Sequence, residues 1–383
     1  MTFESSGAGS IGTVGEKDIP AHKLEFDTTG KGGLIGLHIV NMIFMILTLM
    51  LYRFWALTRV RRAIWPRMRL EGSPFEYVGT GLEIFIGFLK VFFVFLLPIA
   101  LLNNWASQKI FVDAQAGTFS RPLFLLYFFS PIALWALYSA ARFLAFRYRV
   151  NRTQWRSIRG AVQGKAYIYA ANALAALALT VCTLGFAKPW TDIWLFKYKM
   201  NNASFGKRNF SYEGAVREIL PSYLIFLVCI LAFLGLYIGS QWGFISDLMS
   251  IDASSAQDQS TIRITPPSVP PFGYLAIVGL MAAIAFLNYQ LTFWRSAASH
   301  TSFGATRFEF TPTRFQAIRL IVGNWLIAVL SLGLLAPFVW LRKGKFMANH
   351  LTILGDLDSS SLVQSDLDVG STGEGFLTDF DVA

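Results

Sequence analysis

A lysine in the middle of a long apolar stretch is the residue whose position most suggests chemistry. Lys90 lies within the run GLEIFIGFLKVFFVFLLPIALL, which begins at Gly81. A charge at bilayer depth costs at least a few kcal/mol and is a functional-site hypothesis by default. The alternative is that Lys90 snorkels along its stem, or pairs with a polar group on a neighbouring helix. Glu83 is about 10 Å away by helical rise, too far for a direct pair.

Other residues capable of chemistry are sparse. The sequence has no Gly-rich phosphate loop, no His-Glu-x-x-His and no Gly-x-Ser-x-Gly elbow. Cys182 and Cys229 lie inside apolar runs, away from metal-ligand partners, and are interpreted as small buried apolar residues. We therefore predict a non-enzymatic protein without catalytic residues, metal or cofactor. Four polar residues inside apolar runs are expected to form interhelical hydrogen bonds rather than bind a ligand: Asn172, Asn288, Gln290 and Asn324.

Arg and Lys alternate with aromatic residues in several short stretches. Such stretches could bind nucleic acid, but beside membrane segments the simpler partner is an anionic lipid headgroup, worth about 1 kcal/mol per cation. Tryptophan rings are typical of the membrane interface. The predicted headgroup ligands are Arg59, Arg61, Arg62, Arg67, Arg69, Arg147, Arg149, Arg156, Lys197, Lys199, Lys207 and Arg208. The predicted interface aromatic residues are Trp55, Trp65, Trp155, Trp190 and Trp194.

The composition places these residues in a membrane protein. The chain is 54% hydrophobic and only 15% charged, unlike a soluble domain of this length. No cleavable signal peptide is visible in the polar N-terminal stretch. Seven apolar runs are each long enough for a helix to cross roughly 30 Å of hydrocarbon. They cover residues 33–56, 81–103, 122–146, 166–190, 219–244, 272–294 and 316–340, and are numbered one to seven.

The two ends differ from this membrane domain, which is predicted to cover residues 24–354. Residues 1–23 are predicted to be a disordered tail. Residues 355–383 contain seven carboxylates and no Lys or Arg, which predicts a disordered acidic tail. Without that tail the formal charge of +10 rises to about +17, mostly in the loops between apolar runs.

A polar phrase recurs after five of the apolar runs. NNASFGKRNFSY and SHTSFGATRFEF share Ser-Phe-Gly and a later Phe, and PRMRLEGSPFEY matches them with an apolar residue at the first Phe. Weaker copies begin NRTQW and NHLTI. Alternation in these copies predicts short strands or hairpins, paired with upstream strands predicted in KLEFD, KAYIYA and TRFEFT. The chain is thus built from three repeated units.

Positive charge restricts the topology. Loops rich in Lys and Arg belong on the cytoplasmic side, yet segment four has a basic loop at each end. One solution lets segments one, four and seven dip into the membrane and return, while segments two, three, five and six span it. Gly185 and Pro189 in segment four, repeated as Gly333 and Pro337 in segment seven, favour a break there. Seven simple spans remain the alternative.

The run LYRFWALTRVRRAIWPRMRLEGSPFEYVGTG, with TLGFAKPW further on, resembles the YjgN-like family of bacterial inner-membrane proteins, a family of unknown function. The resemblance covers roughly residues 24–356. It implies a multi-pass protein of the bacterial inner membrane, and it supplies no substrate, cofactor or catalytic residue.

From these observations we predict an all-α, polytopic helical bundle with internal repeats and short cytoplasmic strands, and a cytoplasmic C-terminal tail. The first function hypothesis is transport or sensing of a small solute or lipid, by analogy with transporters built from repeats and broken helices. The second is a scaffolding protein whose basic cytoplasmic face binds anionic lipid or partners. An integral-membrane enzyme is a third.

Overall fold

The computed structural model describes residues 20–29, 31–243, 246, 272–331 and 335–355. The predicted N-terminal tail, apart from its last four residues, and the acidic C-terminal tail, apart from Gly355, lie outside the described residues. The loop between segments five and six, residues 245–271, also lies outside them, apart from Ser246.

A single antiparallel sheet of eleven short strands organises the chain. Its strand order is β1-β11-β10-β9-β8-β7-β6-β5-β4-β3-β2. The two end strands, β1 and β2, are separated in the chain by Leu24 alone, so the sheet curls back into a near-closed ring. Every pairing is antiparallel. The strands are β1 (Ala21–Lys23), β2 (Glu25–Phe26), β3 (Met68–Leu70), β4 (Ser73–Tyr77), β5 (Thr153–Trp155), β6 (Ile158–Val162), β7 (Ala203–Phe205), β8 (Arg208–Tyr212), β9 (Thr301–Phe303), β10 (Thr306–Phe310) and β11 (Leu351–Leu354).

The recurring phrase is the β-hairpin of this ring. Four copies form β3–β4, β5–β6, β7–β8 and β9–β10, and the fifth places β11 against β1. Two-residue loops join the strands, and their backbones adopt the positive φ values that hairpin turns need. Gly206 and Gly304 supply the positive φ (58° and 61°) at the first loop position of their hairpins. The predicted hairpins are therefore confirmed, and the repeated glycine is a turn residue.

The repeated apolar positions fill the inside of the ring. Side chains alternate across a strand, and each hairpin sends two apolar residues inward, where they pack as one cluster. Phe210 and Phe303, on neighbouring strands, have ring centroids 4.8 Å apart. The cluster comprises Leu24, Leu70, Phe75, Trp155, Ile158, Phe205, Phe210, Phe303, Phe308 and Ile353.

Within the described residues, five pairs of helices connect the strands, and both ends of each pair join the same sheet. Two of them are long pairs, α3–α4 and α7–α8. Three are short pairs, α1–α2, α5–α6 and α9–α10, and short and long pairs alternate along the chain. The helices are α1 (Lys31–Leu47), α2 (Arg53–Ile64), α3 (Gly81–Gln115), α4 (Arg121–Asn151), α5 (Ala166–Cys182), α6 (Lys188–Asn201), α7 (Val216–Ser240), α8 (Phe272–Ser299), α9 (Arg314–Leu330) and α10 (Ala336–His350), with a π-helical turn inside α3 at Phe92–Leu96.

Four of the described helices are long and apolar enough to cross a membrane. They are α3, α4, α7 and α8, which correspond to segments two, three, five and six. Their outer surfaces carry exposed apolar residues, such as Phe128, Val228 and Ile277, each at least 60% exposed. The helices of the short pairs have 12 to 17 residues, fewer than the roughly 20 that a span requires.

A hydroxyl residue marks the break inside every short pair. Thr48, Thr183 and Ser331 each donate to the carbonyl four residues earlier. Each also accepts the backbone N–H four residues later, at 3.0, 3.0 and 3.1 Å, where the returning helix begins. The hydroxyl thus satisfies a donor that the break would leave without a partner.

The break in the first pair forms without the glycine found in the second. Leu184 and Gly185 have φ of 50° and 94°, and the equivalent residues Leu49 and Met50 have φ of 48° and 70°. Gly185 tolerates this conformation and Met50 is strained by it. Segment one therefore shares the break of segment four, and Thr48 makes the same two hydrogen bonds there as Thr183 does in segment four.

The predicted all-α fold class is wrong, because an eleven-stranded antiparallel sheet lies at one end of the helices. Each strand has only two to five residues and is too short to be stable alone. The sheet therefore becomes apparent only when all the hairpins are assembled. The strand predicted in KAYIYA is also wrong, since these residues begin helix α5. The strand in TRFEFT exists, but as the second arm of the repeated hairpin. Residues 21–23, assigned to the N-terminal tail, form β1.

Replacing the break hydroxyl is expected to destabilise the fold. Thr183→Val keeps the side-chain shape but leaves the N–H of Ala187 without its acceptor, a loss of about 1 kcal/mol or more. The matched control is Thr180→Val, because the Thr180 hydroxyl only donates to the Ala176 carbonyl and serves no orphan N–H. Thermal unfolding of the detergent-solubilised protein should show a lower midpoint for Thr183→Val than for Thr180→Val. Equal midpoints would contradict this role.

Candidate functional site

Four cations from three helices form the candidate site. Arg61 on α2, Arg149 on α4 and Lys199 on α6 each lie in the last turn before their helix meets the sheet. Arg142 lies two turns earlier than Arg149 on the same face of α4, about 10 Å further from the sheet. Repulsion couples Arg149 to Arg61 and Arg142, and it couples Lys199 to Arg142 and Arg149. These four residues are called the basic cluster.

Aromatic rings surround the basic cluster. Arg61 Nη1 donates to the Tyr77 hydroxyl at 2.9 Å. Lys199 Nζ lies 4.9 Å from the centroid of the Tyr169 ring, and the Arg142 guanidinium lies 5.7 Å from that of Tyr138. Cation–π contacts of this kind hold a cation in place without neutralising its charge.

The electrostatics of the basic cluster favour an incoming anion. Burial, and then repulsion from Arg142 and Arg149, lower the pKa of Lys199 to about 8. Within the described part of the chain, none of the four cations forms an ion pair with a carboxylate. A bound anion would relieve the repulsion and restore the charged form of Lys199.

The two carboxylates nearest to this region have other partners. Asp192 Oδ2 accepts a 2.6 Å hydrogen bond from Tyr289, and Oδ1 pairs with Lys188. Glu83 binds Arg152 through both carboxylate oxygens, at 3.0 and 3.1 Å, and accepts from Tyr148 at 2.7 Å. Because both carboxylates are held by buried or half-buried partners, the basic cluster keeps its net positive charge.

The Asp192 network closes the break of the second short pair. Tyr223 on α7 donates to the carbonyl of Gly185 at 2.7 Å, and its ring packs against Tyr289 with centroids 5.0 Å apart. A broken helix is tolerated at membrane depth only where protein covers the freed backbone groups. Tyr223 and Tyr289 supply that cover from the neighbouring long pair, so we interpret the network as structural.

The predicted intramembrane polar residues do not come together. Lys90 is half-buried in α3 and makes no hydrogen bond within the described residues, while Glu83 lies at the first turn of α3 in its own ion pair. The side chain of Asn172 makes no hydrogen bond within the described residues. Asn288 and Asn324 each have a buried Oδ1 that finds no partner among the described residues. The expected interhelical hydrogen bonds of these amide oxygens are absent from the described part of the structure.

The predicted headgroup ligands divide by location. Arg61, Arg149 and Lys199 belong to the basic cluster. Arg59 and Lys197 are exposed, and Lys207 and Arg208 lie at the turn of the β7–β8 hairpin. Five others contact backbone carbonyls or carboxylates within the chain: Arg62, Arg67, Arg69, Arg147 and Arg156.

The predicted interface tryptophans also divide. Trp190 and Trp194 are 47% and 40% exposed, and Trp55 is half-buried against Phe85. Trp65 donates to the Thr153 hydroxyl at 3.0 Å. Trp155 is only 2% exposed and fills the inside of the ring. Its assignment to the membrane interface is therefore wrong.

Sequence reasoning missed Arg142, Arg152 and Asp192. Arg142 lies inside apolar segment three, as Lys90 lies inside segment two, and the same argument from the cost of a buried charge would have found it. The seven-residue spacing to Arg149 also places both cations on one helix face. Arg152 and Asp192 were missed because Glu83 and Tyr289, which bind them, lie on other helices.

Comparison with known proteins places the chain among bacterial membrane proteins. The family described as "Bacterial protein of unknown function (DUF898)" matches residues 21–379. The inner membrane protein YjgN of Salmonella typhimurium is 36% identical over 92 residues, which are 24% of this chain and 23% of that protein. YjgN of Escherichia coli K12 is 35% identical over 82 residues, which are 21% of this chain and 20% of that protein. The aligned stretch thus spans less than about a quarter of these relatives. No solved structure matches the chain.

Proposed function

Since this chain belongs to the DUF898 family of bacterial proteins of unknown function, and its YjgN relatives are named inner membrane proteins, we propose that it is a multi-pass, non-enzymatic inner-membrane protein that binds the anionic headgroup of a lipid at the basic cluster. The protein would serve as a scaffold that organises anionic lipid beneath its sheet.

The unpaired charge of the basic cluster supports this proposal most directly. Three like charges at the sheet-facing ends of α2, α4 and α6, with Arg142 further in, are unfavourable unless an anion joins them. A guanidinium binds a phosphate through two parallel hydrogen bonds. The helix ends lie where an apolar helix leaves the hydrocarbon, which is the level of the headgroups.

The proposed topology puts the sheet and its four β-hairpin turns on the cytoplasmic side. Helices α3, α4, α7 and α8 would span the membrane, and the three short pairs would enter and return. The C-terminal tail would then be cytoplasmic, since β11 lies in the sheet. The arrangement of basic residues near the sheet supports this orientation.

A second candidate is movement or sensing of a small solute, favoured by one feature of α3. The π-helical turn at Phe92–Leu96 begins two residues after Lys90, and π-helical turns are frequent at functional sites. This hypothesis predicts that Lys90→Leu abolishes a solute-dependent phenotype while the protein is still inserted at normal levels. Headgroup binding at the basic cluster predicts no effect of Lys90→Leu, so growth and uptake assays distinguish the two.

Substitutions in the basic cluster should weaken binding of anionic lipid. Arg142→Gln and Lys199→Gln are each expected to lower the affinity for phosphatidylglycerol about fivefold, because one cation near a headgroup is worth about 1 kcal/mol. The measurement is the rise in unfolding midpoint on titrating phosphatidylglycerol, compared with phosphatidylcholine, into protein in neutral detergent. The control is Lys345→Gln, which removes an exposed cation from α10. An unchanged affinity in both cluster variants would refute the site.

Binding at the basic cluster should also depend on pH. The lowered pKa of Lys199, about 8, means that the cluster is fully charged below that pH and loses one charge as the pH rises through it. Affinity for phosphatidylglycerol, whose phosphate stays ionised, should therefore fall between pH 7 and pH 9. Lys199→Arg should keep the binding and remove this pH dependence, because arginine stays charged throughout.

The same-side topology can be tested with single cysteines in a Cys182→Ser, Cys229→Ser background. Thr118→Cys, in the turn between α3 and α4, is expected to react with a membrane-impermeant thiol reagent in intact cells. Ser157→Cys and Lys207→Cys, in hairpin turns on either side of the α5–α6 pair, should react only after the cells are permeabilised. Opposite labelling of these two positions would show that the α5–α6 pair crosses the membrane.

A further inference from the structure

The residue that precedes the first strand of each phrase copy joins a helical pair to the sheet. Its carbonyl accepts a backbone N–H from the residue that follows the neighbouring strand, at 2.8–3.1 Å in all five copies. The five positions are therefore equivalent in the backbone, although their side chains differ. They are occupied by Arg67, Arg152, Asn202, His300 and His350 and are called the junction residues.

Two junction residues bind the helix that begins their own long pair. Arg152 follows α4 and donates hydrogen bonds to both carboxylate oxygens of Glu83, the third residue of α3. His300 follows α8, and its Nε2 lies 3.3 Å from Oε1 of Glu218, the third residue of α7. The same link between the two sheet ends of a pair is thus made by arginine in one pair and by histidine in the other.

Both ring nitrogens of His300 face oxygen acceptors. Nδ1 lies 2.9 Å from the carbonyl oxygen of Ser296, and Nε2 faces Glu218. A neutral imidazole has one N–H and donates to only one of these oxygens, whereas the protonated ring donates to both. The hydroxyls of Ser296 and Ser299 also lie near Nδ1, at 3.4 and 3.2 Å. A hydroxyl can donate to an unprotonated Nδ1, but that nitrogen would still face the Ser296 carbonyl without a proton between them.

His350 repeats this arrangement in the third short pair. Its Nδ1 lies 2.8 Å from the carbonyl of Phe346, and its Nε2 lies 3.0 Å from Oε1 of Gln316, the third residue of α9. The capping box at the start of α9 fixes this amide, because the same Oε1 accepts the Thr313 N–H at 2.8 Å. The atom that faces Nε2 is therefore an acceptor, and only the protonated ring donates to both oxygens.

The charge of these two histidines depends on pH, unlike that of Arg152. Histidine ordinarily changes charge between pH 5 and 8, whereas arginine stays protonated. The His300 side chain is 28% exposed, so its proton can exchange with water. Among the described residues, Glu218 is the charged side chain within ion-pair distance of His300, and His350 has no such neighbour. Glu213, in the loop between β8 and α7, binds the His300 carbonyl through its backbone N–H.

We propose that His300 and His350 are pH-dependent latches between the helical pairs and the sheet. At low pH each protonated ring bridges the two sheet ends of its pair. As the pH rises and the ring loses its proton, one of its two hydrogen bonds is lost, and the sheet ends of α7–α8 and α9–α10 loosen. The α3–α4 pair stays fastened throughout, because Arg152 keeps its charge.

The latches are independent of the basic cluster. They lie in α7–α8 and α9–α10, whereas the basic cluster lies on α2, α4 and α6, and their test requires no lipid. The proposed topology places them on the cytoplasmic side, where they would respond to cytoplasmic pH. That orientation rests on the proposed function, and the latches themselves do not.

Hydrogen exchange of the protein in neutral detergent measures the latches directly. Protection is compared at about pH 5.5 and about pH 7.5, after correction for the intrinsic exchange rate. This range lies on either side of the ordinary histidine transition and below the pKa of about 8 at which Lys199 changes charge. Peptides covering residues 211–219 and 309–317 contain the N–H groups that bind the carbonyls of His300 and His350. Their protection should fall about fivefold at the higher pH, because one hydrogen bond is lost at each junction. The equivalent peptide at Arg152, residues 76–84, should not change.

Substitutions at His300 separate its charge from its shape. His300→Arg should keep the protection of residues 211–219 at both pH values, because its guanidinium can bind Glu218 as Arg152 binds Glu83. His300→Gln, which is neutral throughout, should show the low protection at both pH values. The matched control is His22→Gln, because His22 also contacts a carboxylate, that of Glu71, but lies in β1 away from both junctions. This variant should keep the pH dependence of the unmodified protein.

Three results would overturn the proposal. The first is equal protection of residues 211–219 and 309–317 at the two pH values in the unmodified protein, a measurement that needs no variant to fold. The second is identical protection in His300→Arg and His300→Gln. The third is loss of the pH dependence in His22→Gln, which would assign it to the end strand of the sheet.

Discussion

Closure of eleven very short strands into one ring is the constraint on which the rest of the structure depends. A strand of two to five residues has too few partners to persist alone, and each gains them only when its neighbours on both sides are present. The inward residues reinforce this dependence, because every hairpin contributes to one shared apolar cluster. The ring in turn fixes where ten helix ends lie, and so brings Arg61, Arg149 and Lys199 to the same level.

Short helical pairs that start and end on one sheet must reverse direction away from it. In an apolar environment that reversal exposes backbone groups unless side chains bind them. The structure solves this locally with Thr48, Thr183 and Ser331, and between pairs with the hydrogen bond from Tyr223 to Gly185. Because the second solution needs the long pair α7–α8, the short pairs depend on their neighbours as the strands do.

The sequence was informative where a pattern is local and repeated. The family resemblance is confirmed, the five phrase copies were recognised from the spacing of Phe and Gly, and the four long apolar helices from their length. The ring could not be predicted, because no single hairpin reveals that β1 meets β11 across more than three hundred residues of chain. The position of the break in segment one could not be predicted, because Leu49 and Met50 occupy it without a glycine and the hydroxyl of Thr48 accepts the N–H of Tyr52 there. Of the basic cluster, Arg61, Arg149 and Lys199 were predicted from the sequence, and Arg142 was not, because it was counted as part of apolar segment three.

Ion pairing distinguishes the cations that stabilise the fold from those that are available to a ligand. Arg152 is almost fully buried, and its guanidinium donates hydrogen bonds to both carboxylate oxygens of Glu83. Breaking such a pair would leave a buried charge without a partner, at a cost of several kcal/mol. The role of Arg152 is therefore structural. Lys199 and Arg142 lie against aromatic rings and form no ion pair with a carboxylate among the described residues, although Asp192 attracts Lys199 at longer range. If the sequence were selected for stability alone, replacing one of these two cations with a neutral residue would be favoured, because it would remove their mutual repulsion. Their presence together is the reason for proposing that an anion from outside the chain binds there.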